Sequence, residues 1–217
     1  QLFISTHSDL ISTRLDLRNC ILMNSAVPAG TVSLRFIDEG TARFFMKAPD
    51  NNMLQFVLAK KVILVEGDAE FILMDAFCKR VLNHTLAEQG IDVIAVDGKC
   101  FKRYLEIARQ INVKVAVVTD NDKNYAENIK VSYNGYMNNE HSNIKVYADT
   151  NNERYTFEVA VYQDNTVDCN ELFSAERRTL SVVDYMLANK AEAAYKLLTQ
   201  KSETINVPQY IRDAFVW

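Results

Sequence analysis

Nothing in the 217 residues approaches the run of about 20 apolar residues that a membrane-spanning helix requires, which excludes a membrane-spanning role. The chain does not open on a signal peptide: Gln1-Leu-Phe-Ile-Ser-Thr lacks an initiating Met, a basic segment and a long apolar segment. It reads as the middle of a strand, hence as a fragment of a longer protein. Cys20, Cys78, Cys100 and Cys169 are widely scattered, with no C-x-x-C pair. That leaves no zinc-finger spacing and no disulfide framework, and suits reduced thiols in the cytoplasm. His84 and His141 have no partners at metal-ligand spacing. No G-x-x-x-x-G-K-S/T loop occurs, so this chain alone cannot cradle ATP. Internal repeats and low-complexity tracts are absent, and the ten tyrosines form no recognisable stacking platform. A formal charge of −4 argues against a basic nucleic-acid coat, but not against an acidic centre neutralised by bound metal.

What remains is an ordinary globular composition, 48% hydrophobic and 24% charged, long enough for one full domain and an extension. Asn19-Cys-Ile-Leu-Met reads as a strand. Thr31-Val-Ser-Leu-Arg-Phe-Ile and Ala42-Arg-Phe-Phe-Met read as a hairpin or edge strands. Pro49-Asp-Asn-Asn punctuates the chain, and Met53–Ala59 leads on as a helix. From Lys61 strands and helices alternate: Val62-Ile-Leu-Val, a helix over 69–86, Asp92-Val-Ile-Ala-Val, a helix over 101–111, and Val113-Lys-Val-Ala-Val-Val. The continuous β-branched runs predict a parallel sheet covered on both faces. Tyr125–Asn143 reads as a loop or irregular helix, Ile144-Lys-Val-Tyr-Ala and Arg154-Tyr-Thr-Phe-Glu-Val as strands, and the chain from Glu171 as helical.

Two acidic motifs fall at the C-terminal ends of predicted parallel strands, where open α/β sheets bind their ligands. In Val65-Glu66-Gly67-Asp68-Ala69-Glu70 a strand ends, Gly67 permits a tight turn, and Glu70 lies in the following helix's first turn. Asp68 and Glu70 could equally be there to complement the helix dipole. In Thr119-Asp120-Asn121-Asp122, alternation of an extended chain would point Asp120 and Asp122 to one side. Carboxylates held that close repel unless a cation bridges them or one is protonated. Hard oxygen donors suit magnesium or manganese, whereas the alternative is an Asp-rich turn capping backbone amides.

Strand-E-G-x-x-E followed by strand-D-x-D resembles the Toprim domain of topoisomerases, bacterial primases, recombination-repair proteins and OLD (overcoming lysogenization defect) family nucleases. The closer resemblance is to the OLD family, which joins an ABC-type ATPase to a C-terminal Toprim nuclease. Leu2-Phe-Ile-Ser-Thr-His-Ser is similar to the last ATPase strand with its switch histidine, here His7. Leu58-Ala-Lys-Lys-Val-Ile-Leu-Val-Glu-Gly-Asp-Ala-Glu is similar to the junction into Toprim. Tyr155-Thr-Phe-Glu resembles a later T-L-E motif, with Phe157 for Leu, and Asn189-Lys-Ala-Glu-Ala-Ala a helix carrying a family lysine.

The resemblance implies an α/β fold, a Rossmann-like parallel sheet flanked by helices. It divides the chain into a β-rich ATPase tail (1–57), the Toprim core (58–165) and a helical extension completing the nuclease (166–217). It implies metal-dependent DNA cleavage by one or, as the preferred reading, two divalent ions, for phage defence or DNA repair. The ligand pool would be Glu66, Glu70, Asp120, Asp122 and Glu158, with Glu66 and Asp120 central and Lys190 stabilising charge on the phosphate. Magnesium or manganese would be the cofactor, with calcium a non-catalytic substitute. ATP, homo-oligomers and a helicase-type partner would belong to the full-length protein, where His7 acts; in this chain it would idle. For Lys190 the alternative is a solvated helix lysine, for Glu158 a surface salt bridge beside Glu153 and Arg154. Lys99 reads as a solvated lysine that could reach a phosphate. The rival functions are a non-catalytic Toprim binding or assembly module, and topoisomerase or primase chemistry, whose additional domains are not visible.

Overall fold

The computed structural model describes residues 4–6, 8, 16–23, 31–47, 52–96, 98, 100–111, 113–137 and 142–217. His7, most of the strand expected before it, Lys99 and His141 lie outside the described residues. Two short strands, β1 (Ile21–Met23) and β2 (Thr31–Ser33), pair antiparallel. Two helices follow, α1 (Glu39–Lys47) and α2 (Met53–Leu58). Then comes the alternating part: β3 (Lys61–Val65), α3 (Asp68–Leu82), α4 (Leu86–Gln89), β4 (Ile91–Ala95), α5 (Phe101–Ala108), β5 (Lys114–Val118), a π-helical turn (Ala126–Val131) and β6 (Ile144–Tyr147). Helices α6 (Phe157–Asp164), α7 (Thr166–Phe173), α8 (Val182–Ala188), α9 (Lys190–Lys201) and α10 (Gln209–Val216) complete the chain.

Strands β4-β3-β5-β6 form one parallel sheet in that order. Both faces are covered, which explains the unbroken apolar runs. Val62 and Leu64 of β3, with Val115 and Val117 of β5, enter one core with Phe45, Phe56 and Tyr104 from α1, α2 and α5. Ile63, Val65, Ala116 and Val118 enter the other with Leu73 and Phe77 of α3, Ala194 and Leu197 of α9, and Ile211 and Phe215 of α10. Each fully buried branched or aromatic side chain contributes about 1.5–3 kcal/mol relative to exposure. Described residues before 58 thus share a core with the sheet, and the helices after 166 fill the opposite face. No helix among the described residues is long and apolar enough to cross a membrane.

Two expected strands are helical instead. Ala42–Met46 lies in α1: Thr41, Ala42 and Phe45 are buried at helical spacing. Asp38 Oδ1 accepts the Thr41 N–H at 2.9 Å, satisfying an orphan amide of the first turn. Among the described residues before 58, strand is thus confined to β1 and β2. Arg154–Val159 is the entry to α6, where Thr156 Oγ1 accepts the Val159 N–H at 3.4 Å. The long helix expected over 69–86 stops at Asn83, whose φ of 59° closes α3 before Thr85 caps α4.

Candidate metal centre

The parallel register sets Leu64 beside Val117, so the residues just past each strand, Glu66 and Thr119, meet at the same sheet edge. The Thr119 hydroxyl donates to Glu66 Oε1, and the Asp120 N–H donates to the same oxygen at 3.0 Å. The Asp120 carboxylate turns toward α6: its Oδ1 accepts the Phe157 N–H at 2.8 Å. Glu158 follows as the second residue of that helix and is only 2% exposed. Glu70, the third residue of α3, is likewise buried. Lys190 opens α9, and its Nζ stands 3.1 Å from Glu158 Oε1. Beyond this ion pair, the buried oxygens of Glu158 have no polar partner among the described residues.

The electrostatics register this crowding. Burial, then the charges of Glu158 and Glu66, push Glu70 up to about 7, against a hydrogen bond from its own backbone and the attraction of Lys190. Burial, then Glu66, Glu70 and Glu158, push Asp120 up to about 8, with Lys190 again opposing. Burial also works against the Lys190 ammonium, but the attraction of Glu158, Asp120 and Glu70 outweighs it and holds that group above its ordinary value. A lysine at a helix N-terminus faces the unfavourable end of the dipole. Here the carboxylates offset that cost.

Glu66, Glu70, Asp120, Glu158 and Lys190 are thus brought together. Asp122 is placed differently from the expected alternation. Its φ of 47° is left-handed, and its side chain is exposed at the rim. The backbone-capping role that the acidic turn could have played falls to Asn121, which the sequence reading passed over. Its buried amide nitrogen donates to the carbonyls of Asp149 at 2.8 Å, Asn151 at 2.9 Å and Arg154 at 3.3 Å, and its Oδ1 accepts the Lys123 N–H. The surface pair considered for Glu158 does not form: Arg154 is bound to Asp149 and Asp164. Gly67 is extended, at φ −156° and ψ −165°, so no left-handed turn calls for it. A Cβ there would come within 3.8 Å of Glu70 Oε2, at the mouth of the centre.

Among the described residues no three His, Cys, Asp or Glu side chains converge closely enough to hold a metal ion in this arrangement. Backbone donors engage Glu66 and Asp120, and the Lys190 ammonium supplies positive charge beside Glu158. The donor set still fits a hard divalent cation: oxygen only, largely buried, mutually repelling, and including a carboxylate whose one polar neighbour among the described residues is the Lys190 ammonium. Two recesses flank the Glu66–Asp120 contact. One, about 260 Å³, is lined by Glu66, Asp68, Glu70, Gly98 and Lys190 among others. The other, about 230 Å³, is lined by Lys102, Thr119, Asp120, Asn128, Ser132 and Tyr133, with Ile129 at its base.

Residues 57–122 match the family model described as "Overcoming lysogenization defect protein-like, TOPRIM domain". The C-terminal region of the Burkholderia pseudomallei OLD protein superposes with a TM-score of 0.54 at 19% identity, over 73% of this chain and 96% of that one. The corresponding region of the Xanthomonas campestris pv. campestris OLD protein gives 0.46 at 21% identity, over 73% and 93%. No curated protein matches the chain. Residues 57–122 are thus similar to the OLD-like Toprim domain, and the chain has the fold of an OLD C-terminal region.

Proposed function

We propose that this chain hydrolyses phosphodiester bonds of DNA in a reaction that requires a divalent cation. The observation that carries the reading is the buried Glu158 carboxylate, which has the Lys190 ammonium beside it and no other polar partner among the described residues, next to two carboxylates whose protons are held up to about 7 and 8. Glu66, Glu70, Asp120 and Glu158 would hold the cation, and Asp122 at the rim could be recruited to a second one. Magnesium or manganese bound there would activate the attacking water and stabilise the leaving oxygen. The chain's own part is orientation and charge. Thr119 and the Asp120 N–H fix the Glu66 carboxylate, as partners behind metal ligands do. The half-exposed Lys190 ammonium faces the recess and stabilises negative charge on the reacting phosphate. Its helix position and its pairing favour this role over that of a plain solvated lysine.

A plasmid-nicking assay with manganese, magnesium or EDTA tests the reading. Cleavage should require metal, and Glu66→Ala or Asp120→Ala should remove it while the circular dichroism spectrum is unchanged. Undiminished cleavage by both variants, or none by the parent with either metal, would reject it; the second result would favour a non-catalytic binding module. A part in phage defence or DNA repair, and operation within an ATP-regulated full-length protein, are expectations that extend this reading by family analogy.

A further inference from the structure

Outside the acidic recess, the centre has a second opening of different chemistry. Lys102, near the start of α5, lines it together with Asn128 and Ser132 from the β5–β6 connection. Asp120 forms part of its wall, so it borders the reacting centre directly. Four lysines are held in ion pairs, Lys79 to Asp75, Lys190 to Glu158, Lys196 to Glu176, and Lys201 to Asp168 and Glu171, while Lys123, Lys130 and Lys145 lie over aromatic rings; what sets Lys102 apart is its place on the wall that Asp120 shares. Lys102 is exposed and makes no ion pair among the described residues; its Nζ rests 5.6 Å above the Tyr133 ring. Asn128 uses its amide nitrogen on the Asn121 carbonyl, a bond that fixes the floor behind Asp120.

The chemistry of this opening is that of an anion, not a second metal. It offers one ammonium, a hydroxyl and an amide against the single carboxylate of Asp120, where the first recess sets three carboxylates, Glu66, Asp68 and Glu70, against the one ammonium of Lys190. Base stacking does not suit it either. Tyr133 is 6% exposed and Ile129 1%, so no open ring face is available. A DNA strand reacting where Glu66 meets Asp120 must run outward on both sides of that point. We infer that this opening receives the phosphate of the nucleotide next to the scissile bond, with Lys102 as its cationic contact and Ser132 and Asn128 as polar lining. The inference rests on the nuclease reading and adds to it the path of the strand. Lys102 is a binding residue, and the reaction itself does not pass through it.

Fluorescence anisotropy with a labelled single-stranded 15-mer, titrated in EDTA at several salt concentrations, tests the site independently of cleavage. Each phosphate contact on a single strand contributes about −0.7 to the slope of log K against log salt. Lys102→Ala should therefore flatten the slope by about 0.7 and weaken binding roughly fivefold at low salt, whereas Lys102→Arg should restore both. In nicking assays with manganese, Lys102→Ala should raise KM and leave kcat within about twofold. An unchanged slope and KM in a variant that still cuts would overturn the subsite and leave the nuclease reading intact. A flattened slope in a chain that cuts nothing would keep Lys102 as a phosphate contact but overturn its place beside a scissile bond, together with the nuclease reading. A parent chain that fails to bind the oligonucleotide would overturn the subsite.

Discussion

Replacing Asp120 by asparagine should stabilise the metal-free chain, and the advantage should widen as pH rises from 5 to 8. Asp120 takes its proton at about 8 in the fold, against an ordinary 3.8, and Glu70 at about 7 against 4.5. Between those limits the folded chain binds more protons than the unfolded one. Stability is then fully present below the unfolded values and is lost as pH climbs through the folded ones. Asparagine has no proton to lose, and its Oδ1 can still accept the Phe157 N–H that Asp120 accepts at 2.8 Å. Over three pH units one fully coupled group would contribute about 4 kcal/mol. The partly exposed edge of Asp120 lets water screen the charge, so about half of that is the working figure. For a chain of this size about 2 kcal/mol corresponds to roughly 4–8 °C in Tm. The measurement is thermal unfolding of parent and Asp120→Asn in EDTA across that range. Saturating manganese should invert the order, because only the parent keeps the full ligand set and gains binding energy in the folded state. A difference in Tm that stays flat with pH would refute the argument.

Two further substitutions separate the floor of the site from its rim. Asn121→Ala removes the two amide N–H donors shared among three carbonyls of the 149–154 loop, from a side chain 1% exposed. It should cost about 2–3 kcal/mol in urea unfolding, since the abandoned carbonyls keep their desolvation penalty; a loss below about 0.5 kcal/mol would mean that water replaces the amide. Asp122→Ala should retain more metal-dependent nicking than Asp120→Ala, because the left-handed turn holds Asp122 at the exposed rim. Equal losses in the two variants would place Asp122 in the centre after all.

The sheet was legible because its causes are local. Val62-Ile-Leu-Val and Val113-Lys-Val-Ala-Val-Val lack polar alternation since each strand is covered on both faces, and the acidic motifs fall where those runs stop. The misread segments share a different cause. Ala42–Met46 and Arg154–Val159 carry aromatic and β-branched residues that suit strands, but their caps, Asp38 and Thr156, decide for helix. Asp122 went astray because i, i+2 alternation presumes an extended chain, and the backbone there turns left-handed. Lys102 was invisible for another reason. Its neighbours Asn128, Ser132 and Tyr133 belong to a connection without periodicity, and only the π-helical turn brings them to the sheet edge.

Glu158 shows how a residue outside both strand-end motifs joins them. Asp120 accepts the first amide of α6, so the helix N-terminus is anchored to the second motif, and Glu158 is carried in one residue later. Glu158 in turn draws Lys190, and with it the start of α9, toward the same edge. A cation that attracts the Asp120 carboxylate competes with the Phe157 N–H for one of its oxygens. One that attracts Glu158 competes with Lys190. Asp120 and Glu158 are thus each held by a partner that must be weakened before their oxygens can turn to a shared ion. The same restraint keeps the repelling carboxylates from splaying apart, with Lys190 as the internal counter-charge acting on Glu158, Asp120 and Glu70.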